Sequence, residues 1–472
     1  MRFVASFAAA SAWFLVLAPA AASGGSAPEG AVTEELVRRL QTRPLTPAEQ
    51  AIADIVASGD VNAVALNRER LIAHDGFVNL KIKRGDITNQ KSSGRCWMFA
   101  GFNVLRPEVM RKYKLSTFEF SENYLLFWDK IEKSNFFLQG MIDLAEKPLD
   151  DRYLQTLLDE PLGDGGWWSY FVDLANKYGV VPVEAMPETH NSSSTGRMNG
   201  LLTLKLKEIG LELREMARGG ASASTLREKR ESALEEIFRF LLLNLGRPPE
   251  TFTWRYATTD STTIVTYPGT LTPRAFLEDV IGVDLQAYVA LFNYPGKAYG
   301  KPYAFELSRN VYDRANFTVL NVPSDSLRAC IYRSVLDSTA VWFACDVGKE
   351  NYGEKGVMGL GIYNYEQIYG TRFGLPKKDL IQLGLITPNH AMTFVGVDTL
   401  DGAPAKWLVE NSWGDERGDD GLWYMYNDWF DRYLFGAVVH RRYVSDAMID
   451  MTRQDPIVLP PWDPMYGLSD LQ

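Results

Sequence analysis

Apolar positions in the first half of the chain recur with the spacing of helices. The stretch TEELVRRLQTRPLTPAEQAIADIVA, from Thr33, has helical periodicity that breaks at Pro44 and restarts at the capping pattern TPAE, residues 46–49. A second run, from Cys96 to about Lys114, is apolar on most faces. It predicts a buried central helix, with Pro107 as the position of a potential kink.

Three more helical patterns follow this run. Ser121 is the expected cap of a helix in residues 118–133, and another helix is expected after the glycine-rich turn at 163–166. Residues 200–247 hold two long helical patterns separated by a loop of small residues. They predict an inserted helical hairpin whose apolar stripe needs a partner surface.

The second half of the chain has a different pattern of residue types. β-Branched and aromatic residues are dense in four stretches, which lie at 341–347, 390–398, 405–411 and 421–426. Each stretch is bounded by turn residues, as strands are. A helix-rich first half followed by a strand-rich second half predicts an α+β fold with two lobes.

The N-terminus carries the pattern of an export signal. Arg2 precedes an apolar stretch from about Phe3 to Leu17, and the small residues 20–22 form a cleavage site before Ser23. The alternative is an uncleaved anchor, but the apolar stretch is shorter than the roughly 20 residues that a membrane span needs. We therefore expect a periplasmic or secreted protein that has no membrane association once residues 1–22 are removed.

Composition excludes several classes of protein. The chain has 472 residues, of which 46% are hydrophobic, so it can bury a large core. Its net charge is −10, and acidic chains are poor candidates for binding nucleic acid. Metal-site spacings such as C-x-x-C and H-E-x-x-H are absent from the sequence, and the acidic loop 415–420 does not have the spacing of a calcium loop. We expect neither a metal nor another cofactor.

One cysteine, Cys96, lies in a sequence context that favours a reactive thiol. A thiol attacks acyl groups as its thiolate, which a helix N-terminus and a histidine partner stabilise. Cys96, in QKSSGRCWMFAG, has the first of these if its helix begins there. His390, at the start of a predicted strand, is the best partner, whereas His74 and His190 are expected to be exposed and His440 to be a strand residue.

Other residues complete a reaction site of this kind. Asn411 can accept the imidazole N–H and orient the ring, and Trp413 can screen that bond from water. Gln90 can offer a side-chain amide, and Cys96 its backbone N–H, to an oxyanion. The other two cysteines, Cys330 and Cys345, are expected to be core residues or to form one optional disulfide.

The ordered motifs NQKSSGRCWMFA, NHAMTFVGV and VENSWGD resemble papain-like cysteine peptidases, and more specifically the bleomycin hydrolase and aminopeptidase C family. The stretches FEFSENYLLFWDK, DGGWW, KYGVVP, CDVGK and PWDPM resemble the same family in the same order. The resemblance thus covers nearly everything after about residue 65. It implies a papain-like fold in which a helical lobe meets a β-barrel-like lobe, with a helical insertion and a C-terminal arm.

The same resemblance assigns roles to residues. It implies that Cys96 is the nucleophile, His390 the general base and acid, Asn411 the residue that orients it, and Gln90 the oxyanion donor, with Trp413 in support. Substrate would bind along Gly165 and Gly166, where a missing side chain lets a peptide backbone approach, and at Asn389 and Ser469.

These patterns and the resemblance divide the chain into six expected segments. They are a signal peptide at 1–22, an N-terminal helical segment at 23–75, a helical lobe with the nucleophile at 76–199, a helical insertion and oligomerisation region at 200–300, a β-rich lobe with the histidine and asparagine at 301–450, and a C-terminal arm at 451–472.

The position of the C-terminal arm distinguishes an aminopeptidase from an endopeptidase. In the resembling family it lies in the cleft, with its terminal carboxylate near the substrate amine, inside a hexameric barrel. The resemblance therefore implies a homohexameric aminopeptidase that acts on peptides and on amides such as bleomycin through a thioacyl-enzyme. The alternatives are an endopeptidase with an undocked arm and a secreted scaffold or nucleic-acid binder without activity. WDPM is here followed by seven residues instead of about four, so we expect the tail to be trimmed to about Ser469.

Overall fold

The computed structural model describes residues 28–259 and 264–467 of the chain. The expected signal peptide at 1–22 and the expected substrate-binding residue Ser469 lie outside the described residues. Two compact units are present, one ending at Val64 and the other beginning at Ala65. Among the described residues, none of the helices is both long and apolar enough to cross a membrane.

The first unit contains two capped helices, α1 (Glu34–Gln41) and α2 (Pro47–Ser58). The Thr33 hydroxyl caps α1, and a reciprocal capping box between Thr46 and Glu49 begins α2. The start of α2 confirms the capping signal predicted at residues 46–49. Thr33 acts in the same way at α1, since both side chains satisfy backbone N–H groups that a helix leaves free at its first turn.

The remaining helices are α3 (Val61–Ala65), α4 (Arg68–Ile72), α5 (Cys96–Tyr113), α6 (Glu122–Asp143), α7 (Arg152–Asp159), α8 (Trp168–Tyr178), α9 (His190–Ser193), α10 (Gly196–Arg218), α11 (Ala223–Leu245), α12 (Pro273–Ala275), α13 (Ser324–Leu336), α14 (Tyr365–Tyr369), α15 (Lys377–Gln382), α16 (Asn427–Tyr433) and α17 (Asp446–Thr452). The predicted helical hairpin is confirmed as α10 and α11, which pack on α6. The predicted Ser121 cap of α6 is also confirmed, since its hydroxyl accepts the Tyr124 N–H.

The strands are β1 (Leu80–Lys81), β2 (Arg255–Ala257), β3 (Ile264–Thr266), β4 (Tyr288–Phe292), β5 (Lys301–Phe305), β6 (Thr318–Asn321), β7 (Val341–Cys345), β8 (Asn351–Tyr352), β9 (Val357–Met358), β10 (His390–Leu400), β11 (Ala403–Glu410), β12 (Leu422–Tyr426), β13 (Leu434–His440) and β14 (Ile457–Leu459). All four stretches predicted as strands are strands. Their bounds differ from the prediction by a few residues at most.

Most strands join one mixed sheet of the second unit, in the order β14-β5-β6-β4-β13-β7-β10-β11-β12-β9-β8, with β1 also paired to β10. β2 and β3 form a separate hairpin. The central pairs β13–β7, β7–β10 and β10–β11 are antiparallel. The longest strand, β10, therefore lies in the middle of the sheet with its first residue, His390, paired to Cys345.

Helix α5 packs against this centre and holds the two halves of the fold together. It is buried along nearly its whole length and continues through Pro107 to Tyr113. The Thr393 hydroxyl donates to the Ala100 carbonyl at 3.1 Å, and the Trp342 indole N–H donates to the Trp97 carbonyl at 3.2 Å. The N-terminus of α5 is thereby fixed against the beginning of β10.

Candidate active site

Cys96 is the first residue of α5 and is fully buried. Its sulfur accepts backbone N–H groups from Trp97, in its own helix, and from Ala391, in β10. A helix N-terminus carries partial positive charge, so both the dipole and these donors favour the thiolate. The predicted position of Cys96 at a helix start is confirmed.

His390 lies directly beside the contact between β10 and Cys96. It is the first residue of β10, directly before the Ala391 whose N–H binds the Cys96 sulfur, and it is 3% exposed. Residues separated by almost 300 positions in sequence therefore meet at the contact between α5 and β10.

Asn411 follows β11 and fixes the tautomer of the imidazole. Its Oδ1 lies 2.8 Å from the His390 Nε2 and accepts the Ser412 backbone N–H, also at 2.8 Å. A backbone N–H can only donate, so the side-chain atom facing Ser412 must be the amide oxygen. The His390 Nε2 therefore carries a proton, which leaves the Nδ1 lone pair free to take a proton from a thiol.

Trp413 lies against the face of His390. The ring centroids are 4.7 Å apart and the planes are tilted by 31°. The indole covers the imidazole next to its bond with Asn411, which is the place that the sequence predicts for a water-excluding residue.

Gln90 is held in the loop before Cys96. Its side-chain N–H donates to the Ser93 carbonyl at 2.6 Å, and its Oε1 accepts the Ser412 hydroxyl at 2.7 Å. The Gln90 backbone N–H also donates to the Ser412 carbonyl at 2.9 Å. These bonds join the nucleophile loop to the segment that carries Asn411.

Burial controls the ionisation of the pair. It raises the pKa of Cys96 to about 11, although the Ala391 and Trp97 N–H groups act in the opposite direction. It lowers the pKa of His390 to about 4, with the Asn411 bond opposing the shift. Each group alone is therefore neutral near pH 7. Proton transfer from the thiol to the imidazole creates opposite charges side by side, and their attraction offsets part of the cost of burying them.

The two glycines predicted to line the cleft have different surroundings. Gly165 lines a cavity of about 660 Å³, and its carbonyl accepts the Lys133 ammonium at 2.8 Å. Gly166 packs on Trp97, where an added Cβ would come within 2.6 Å of the indole. Gly166 thus allows close packing beneath the nucleophile, and substrate contact at either glycine stays a prediction.

Asn389 precedes the catalytic histidine, but its side chain binds within the protein. The Nδ2 donates to Asp346 at 2.8 Å, and the Oδ1 accepts the Val347 N–H at 3.1 Å. These bonds fix the turn that leads into His390, while the predicted substrate contact of Asn389 stays a prediction.

Of the other histidines, His190 is exposed as expected and His440 ends β13 as expected. The expectation for His74 is wrong: it is half-buried, with its Nδ1 3.0 Å from the Tyr426 hydroxyl and its ring against Tyr424. Two strand aromatics cover the loop that carries it.

The three cysteines are all free and buried, so Cys330 and Cys345 are core residues and the optional disulfide does not form. Within residues 28–259 and 264–467, no three side chains of His, Cys, Asp or Glu lie close enough together to hold a metal ion.

The C-terminal arm reaches the same cleft. Strand β14 pairs with β5, the Trp462 ring lies 4.2 Å from the Arg152 guanidinium, and Asp463 pairs with Lys297 at 2.8 Å. Further along, the buried Tyr466 hydroxyl lies 3.1 Å from that of Tyr170.

The described part of the arm ends at Gly467, against the turn that leads into β10. The Gly467 carbonyl accepts the Thr387 hydroxyl at 3.2 Å, in the turn directly before His390. Gly467 has a φ of +55°, and an added Cβ would come within 2.5 Å of Pro388. The arm and Gly165 line one and the same cavity.

Sequence reasoning missed three residues of this site, namely Ser93, Asp164 and Ser412. The Ser412 hydroxyl and the Ser93 carbonyl fix the Gln90 amide. Asp164 accepts the N–H of Gly94 at 3.1 Å. Each lies inside a motif that the sequence singles out, but only the folded contacts give it a role.

A helix-borne thiol, a strand-borne imidazole and an asparagine from the next strand, on an α+β scaffold, define a papain-like cysteine peptidase. The chain belongs to the Peptidase C1-like family, whose model matches residues 31–466. It is similar to the bleomycin hydrolase of Rattus norvegicus, with 38% identity over 393 residues that cover 81% of this chain and 86% of the relative.

It is also similar to the aminopeptidase C of Lactobacillus delbrueckii subsp. lactis, with 35% identity over 428 residues, 90% of this chain and 95% of that one. Among solved structures, PepW from Lactobacillus rhamnosis hn001 matches with a TM-score of 0.90 and 34% identity, over 92% of this chain and 99% of that chain. The predicted family, fold class and enzyme class are therefore confirmed.

Proposed function

We propose that this cysteine peptidase is an aminopeptidase of broad specificity, which removes N-terminal residues from peptides through a thioacyl-enzyme. The observation that carries the proposal is the arm, which runs along the cleft and ends beside the turn before His390. Similarity to proteins named aminopeptidase C and bleomycin hydrolase supports it. Hydrolysis of bleomycin-like amides belongs to the same proposal.

The arm limits how a substrate can lie. Residues of the arm between Pro461 and Gly467 line the same cavity as Gly165. We infer that the arm narrows this side of the cleft, so that a substrate with a single residue before the scissile bond is favoured. The family resemblance implies that the arm's terminal carboxylate binds the substrate ammonium there, as opposite charges in a cleft attract.

Acylation follows from the geometry. The Cys96 thiol passes its proton to the His390 Nδ1, and the sulfur attacks the carbonyl carbon of the first peptide bond. The oxyanion accepts N–H groups from the Gln90 side chain and the Cys96 backbone. The His390 Nδ1–H then protonates the leaving nitrogen, the C–N bond breaks, and the shortened peptide departs.

Deacylation repeats these steps with water. The His390 Nδ1 takes a proton from a water molecule, whose oxygen attacks the thioester carbon, and the same donors bind the oxyanion. The C–S bond breaks, the thiolate regains its proton, and a free amino acid leaves. Throughout, the Asn411 Oδ1 holds the Nε2–H, so only Nδ1 exchanges protons.

The test compares a fluorogenic aminoacyl amide that has a free amine with its N-acetylated form, under reducing conditions. We expect turnover of the free form alone, and none from Cys96→Ala. Turnover of the acetylated form would instead indicate an endopeptidase with an open cleft. A folded oligomer without turnover of either form would support the scaffold alternative.

Two truncations sharpen this test. A chain ending at Pro460 lacks the part of the arm that lines the cleft but keeps β14, and it should gain activity on the acetylated substrate. A chain ending at Gly467 keeps every described contact of the arm and is the matched control. If it keeps the discrimination against the acetylated form, the terminal carboxylate beyond Gly467 is not what excludes that substrate.

We propose in addition that the enzyme trims its own tail to about Ser469. The family resemblance supports this, because WDPM is followed here by three residues more than in the usual ending. Intact-mass analysis of purified protein should show a chain ending near Ser469, and Cys96→Ala should keep the full tail. A full tail in the active enzyme would contradict trimming.

We propose export to the periplasm or the medium, which the signal-like residues 1–22 support. N-terminal sequencing of the exported protein should begin at about Ser23. Recovery of the uncleaved chain from the cytoplasm would contradict the proposal.

We propose a homohexamer, again by family resemblance. The hairpin α10–α11 supports it, since Leu204 and Leu243 are 69% and 79% exposed on it. Light scattering on the eluting protein should give six chains, and Leu204→Glu with Leu243→Glu should reduce that number. A monomeric parent protein would contradict the proposal.

A further inference from the structure

We propose that Asp164 is a positioning residue for the oxyanion donor, because it holds the Gln90 side-chain amide in place through a single peptide group. The inference rests on the proposed roles of Cys96 and Gln90 but not on the aminopeptidase specificity. Asp164 lies in the loop before α8, far in sequence from Gln90.

The Gln90 amide has a defined orientation. Ser93 offers a carbonyl oxygen, which can only accept, so the side-chain atom 2.6 Å from it must be the nitrogen. The Ser412 hydroxyl then donates to the amide oxygen at 2.7 Å. An amide nitrogen has two N–H bonds, so one remains to face an oxyanion. The direction of this N–H depends on the Ser93 carbonyl.

The Ser93 carbonyl belongs to the peptide group whose N–H is that of Gly94. That N–H donates to the Asp164 Oδ2 at 3.1 Å. A peptide group is planar and rigid, so fixing its N–H also fixes the direction of its carbonyl. Asp164 and Gln90 thus bind opposite ends of one rigid unit.

Asp164 itself is held by three side chains. Lys130, which is fully buried, binds it at 2.6 Å, Asn199 donates to it at 2.7 Å, and the Thr195 hydroxyl donates to the same oxygen as Gly94. The four donors come from the loop before α5, from α6 and from the start of α10. The Asp164 carboxylate is therefore held in a fixed position, from which it binds the loop before Cys96.

Lys130 also serves the chemistry at Cys96. Burial alone would raise the pKa of Asp164, but Lys130 and the donated hydrogen bonds hold it well below its ordinary value, so the group is an anion. This anion raises the pKa of the Cys96 thiol. A neutralising ammonium allows a fixed carboxylate to stand near a thiolate.

Direct substrate binding does not explain Asp164. Its side chain is 8% exposed and that of Lys130 is 0% exposed, and Lys130 covers the carboxylate on one side. With four donors already in place, the carboxylate has no free direction for a substrate ammonium. Its effect must pass through the peptide group to Gln90.

The experiment compares two full-length double variants that both lack the buried charge pair. Asp164→Asn with Lys130→Met keeps an oxygen for the Gly94 N–H, and its new N–H group can donate to the Asn199 Oδ1, which has no hydrogen-bond partner. Asp164→Ala with Lys130→Met removes that oxygen. The two proteins differ in the side-chain amide at position 164, which supplies the acceptor for the Gly94 N–H.

We expect the variant with asparagine to lose less than tenfold in kcat. The variant with alanine should lose about 100-fold, the effect of disabling one oxyanion donor, with KM within about twofold. Turnover is measured on whichever of the free and acetylated substrates the parent enzyme cleaves. An endopeptidase would thus overturn the proposed specificity but leave this comparison intact.

Alkylation of Cys96 by iodoacetamide separates positioning from a structural role. This reaction needs the thiolate but no oxyanion donor, so both double variants should react at the same rate. Equal kcat in the two variants would overturn the proposal, as would alkylation that falls in parallel with kcat.

A further variant keeps the inference testable when the alanine variant does not fold. Thr195→Val replaces one hydroxyl, which binds the same oxygen as Gly94, by a methyl group of similar size. It should lower kcat several-fold with alkylation unchanged. In a Gln90→Ala background, Thr195→Val should have no further effect on kcat, because the donor that it positions is gone. An undiminished effect there would contradict the inference.

Discussion

At the scale of single residues, Asn411 fixes the tautomer of His390 and thereby the direction of the proposed proton transfer. Its oxygen is identified by the Ser412 N–H, and this assigns the proton of the neutral imidazole to Nε2. A tautomer with the proton on Nδ1 could not accept from a thiol. The chemistry of Cys96 thus depends on a backbone donor that does not touch it.

The pH dependence of kcat/KM should show how deeply His390 is buried. Burial lowers its pKa to about 4, and a base works only above its pKa. We expect the acid limb of kcat/KM near pH 4, and not near the ordinary histidine value of about 6.5. Initial rates from pH 3.5 to pH 8 measure it.

Asn411→Ala provides the control for this profile. The bond to Asn411 raises the pKa of His390, so its loss should move the acid limb to still lower pH. The kcat should also fall, by about 100-fold, because the ring is no longer oriented. An acid limb near pH 6.5 in the parent enzyme would contradict the buried histidine.

The residues proposed for the reaction can be identified from their sequence motifs, but the contacts that hold them in place cannot. Cys96, His390, Asn411 and Gln90 stand in motifs whose residue types are chemically restricted. Asp164 lies in a motif that was identified only for its glycines. The role proposed for Asp164 depends on Lys130, in the preceding helix α6, and on Gly94, and no local pattern encodes contacts at such separations.

At the scale of elements, a buried ion pair joins α5 to β11. Arg106 lies 3.5 Å from Glu410, and both side chains are almost fully buried. Arg106 also donates to the Asp86 carbonyl at 2.6 Å and to Asn103 at 2.9 Å. Because Glu410 directly precedes Asn411, this pair connects the nucleophile helix to the strand that orients His390.

Arg106→Met should destabilise the protein by about 3 to 5 kcal/mol, because it leaves the Glu410 carboxylate buried without its partner. Urea unfolding measures the loss. Adding Glu410→Gln removes the uncompensated charge and should restore part of the stability. A double variant no more stable than Arg106→Met would show that the charge is not the cause.

The first turn of α6 contains a titrating carboxyl. Burial raises the pKa of Glu122 from 4.5 to about 8, and Glu188 and Glu119 add to the shift while Arg95 opposes it. Between these two pKa values the folded protein keeps a proton that the unfolded chain has released. Stability should therefore fall as pH rises from about 4.5 to about 8.

Glu122→Gln should remove this dependence, since an amide does not titrate. Relative to the variant, the parent protein should lose on the order of 1 kcal/mol or more between pH 5 and pH 8. Urea midpoints at the two pH values measure it, with the exposed Glu184→Gln as control. The prediction fails if parent and Glu122→Gln respond equally to pH.

The helices and strands themselves were easier to predict than the order of the strands across the sheet. Helix caps at Thr46 and Ser121 and the stretches dense in β-branched residues are local signals, and the structure confirms them. The order of the strands in the sheet follows from contacts across the whole second half of the chain. β14 shows this, since it pairs with β5 from more than 150 residues away.

At the scale of the whole molecule, the arm crosses the fold from the sheet to the active site. It begins as β14, continues past Trp462 and Asp463, and meets the turn before His390 at Gly467. Sheet and cleft are thus connected by one continuous segment. Truncations at different points should separate the effect of β14 on the sheet from the effect of the later arm residues near His390.

A chain ending at Pro456 lacks β14, whereas one ending at Pro460 keeps it. We expect the shorter chain to aggregate and the longer one to stay dispersed, because only the shorter one exposes the backbone of β5, at the end of the sheet. Static light scattering during storage at 25 °C measures the difference. Equal behaviour of the two chains would show that β14 does not protect that edge.

The pairing of β14 with β5 also affects where extended peptides can bind to the enzyme. A peptidase constantly meets extended peptides, and an unpaired strand edge would bind them as added strands. β14 occupies that edge and is only three residues long, between Pro456 and Pro460, so it offers little backbone for another chain to join. The pairing therefore removes the β5 edge as a place where peptides would compete with binding at the proposed cleft.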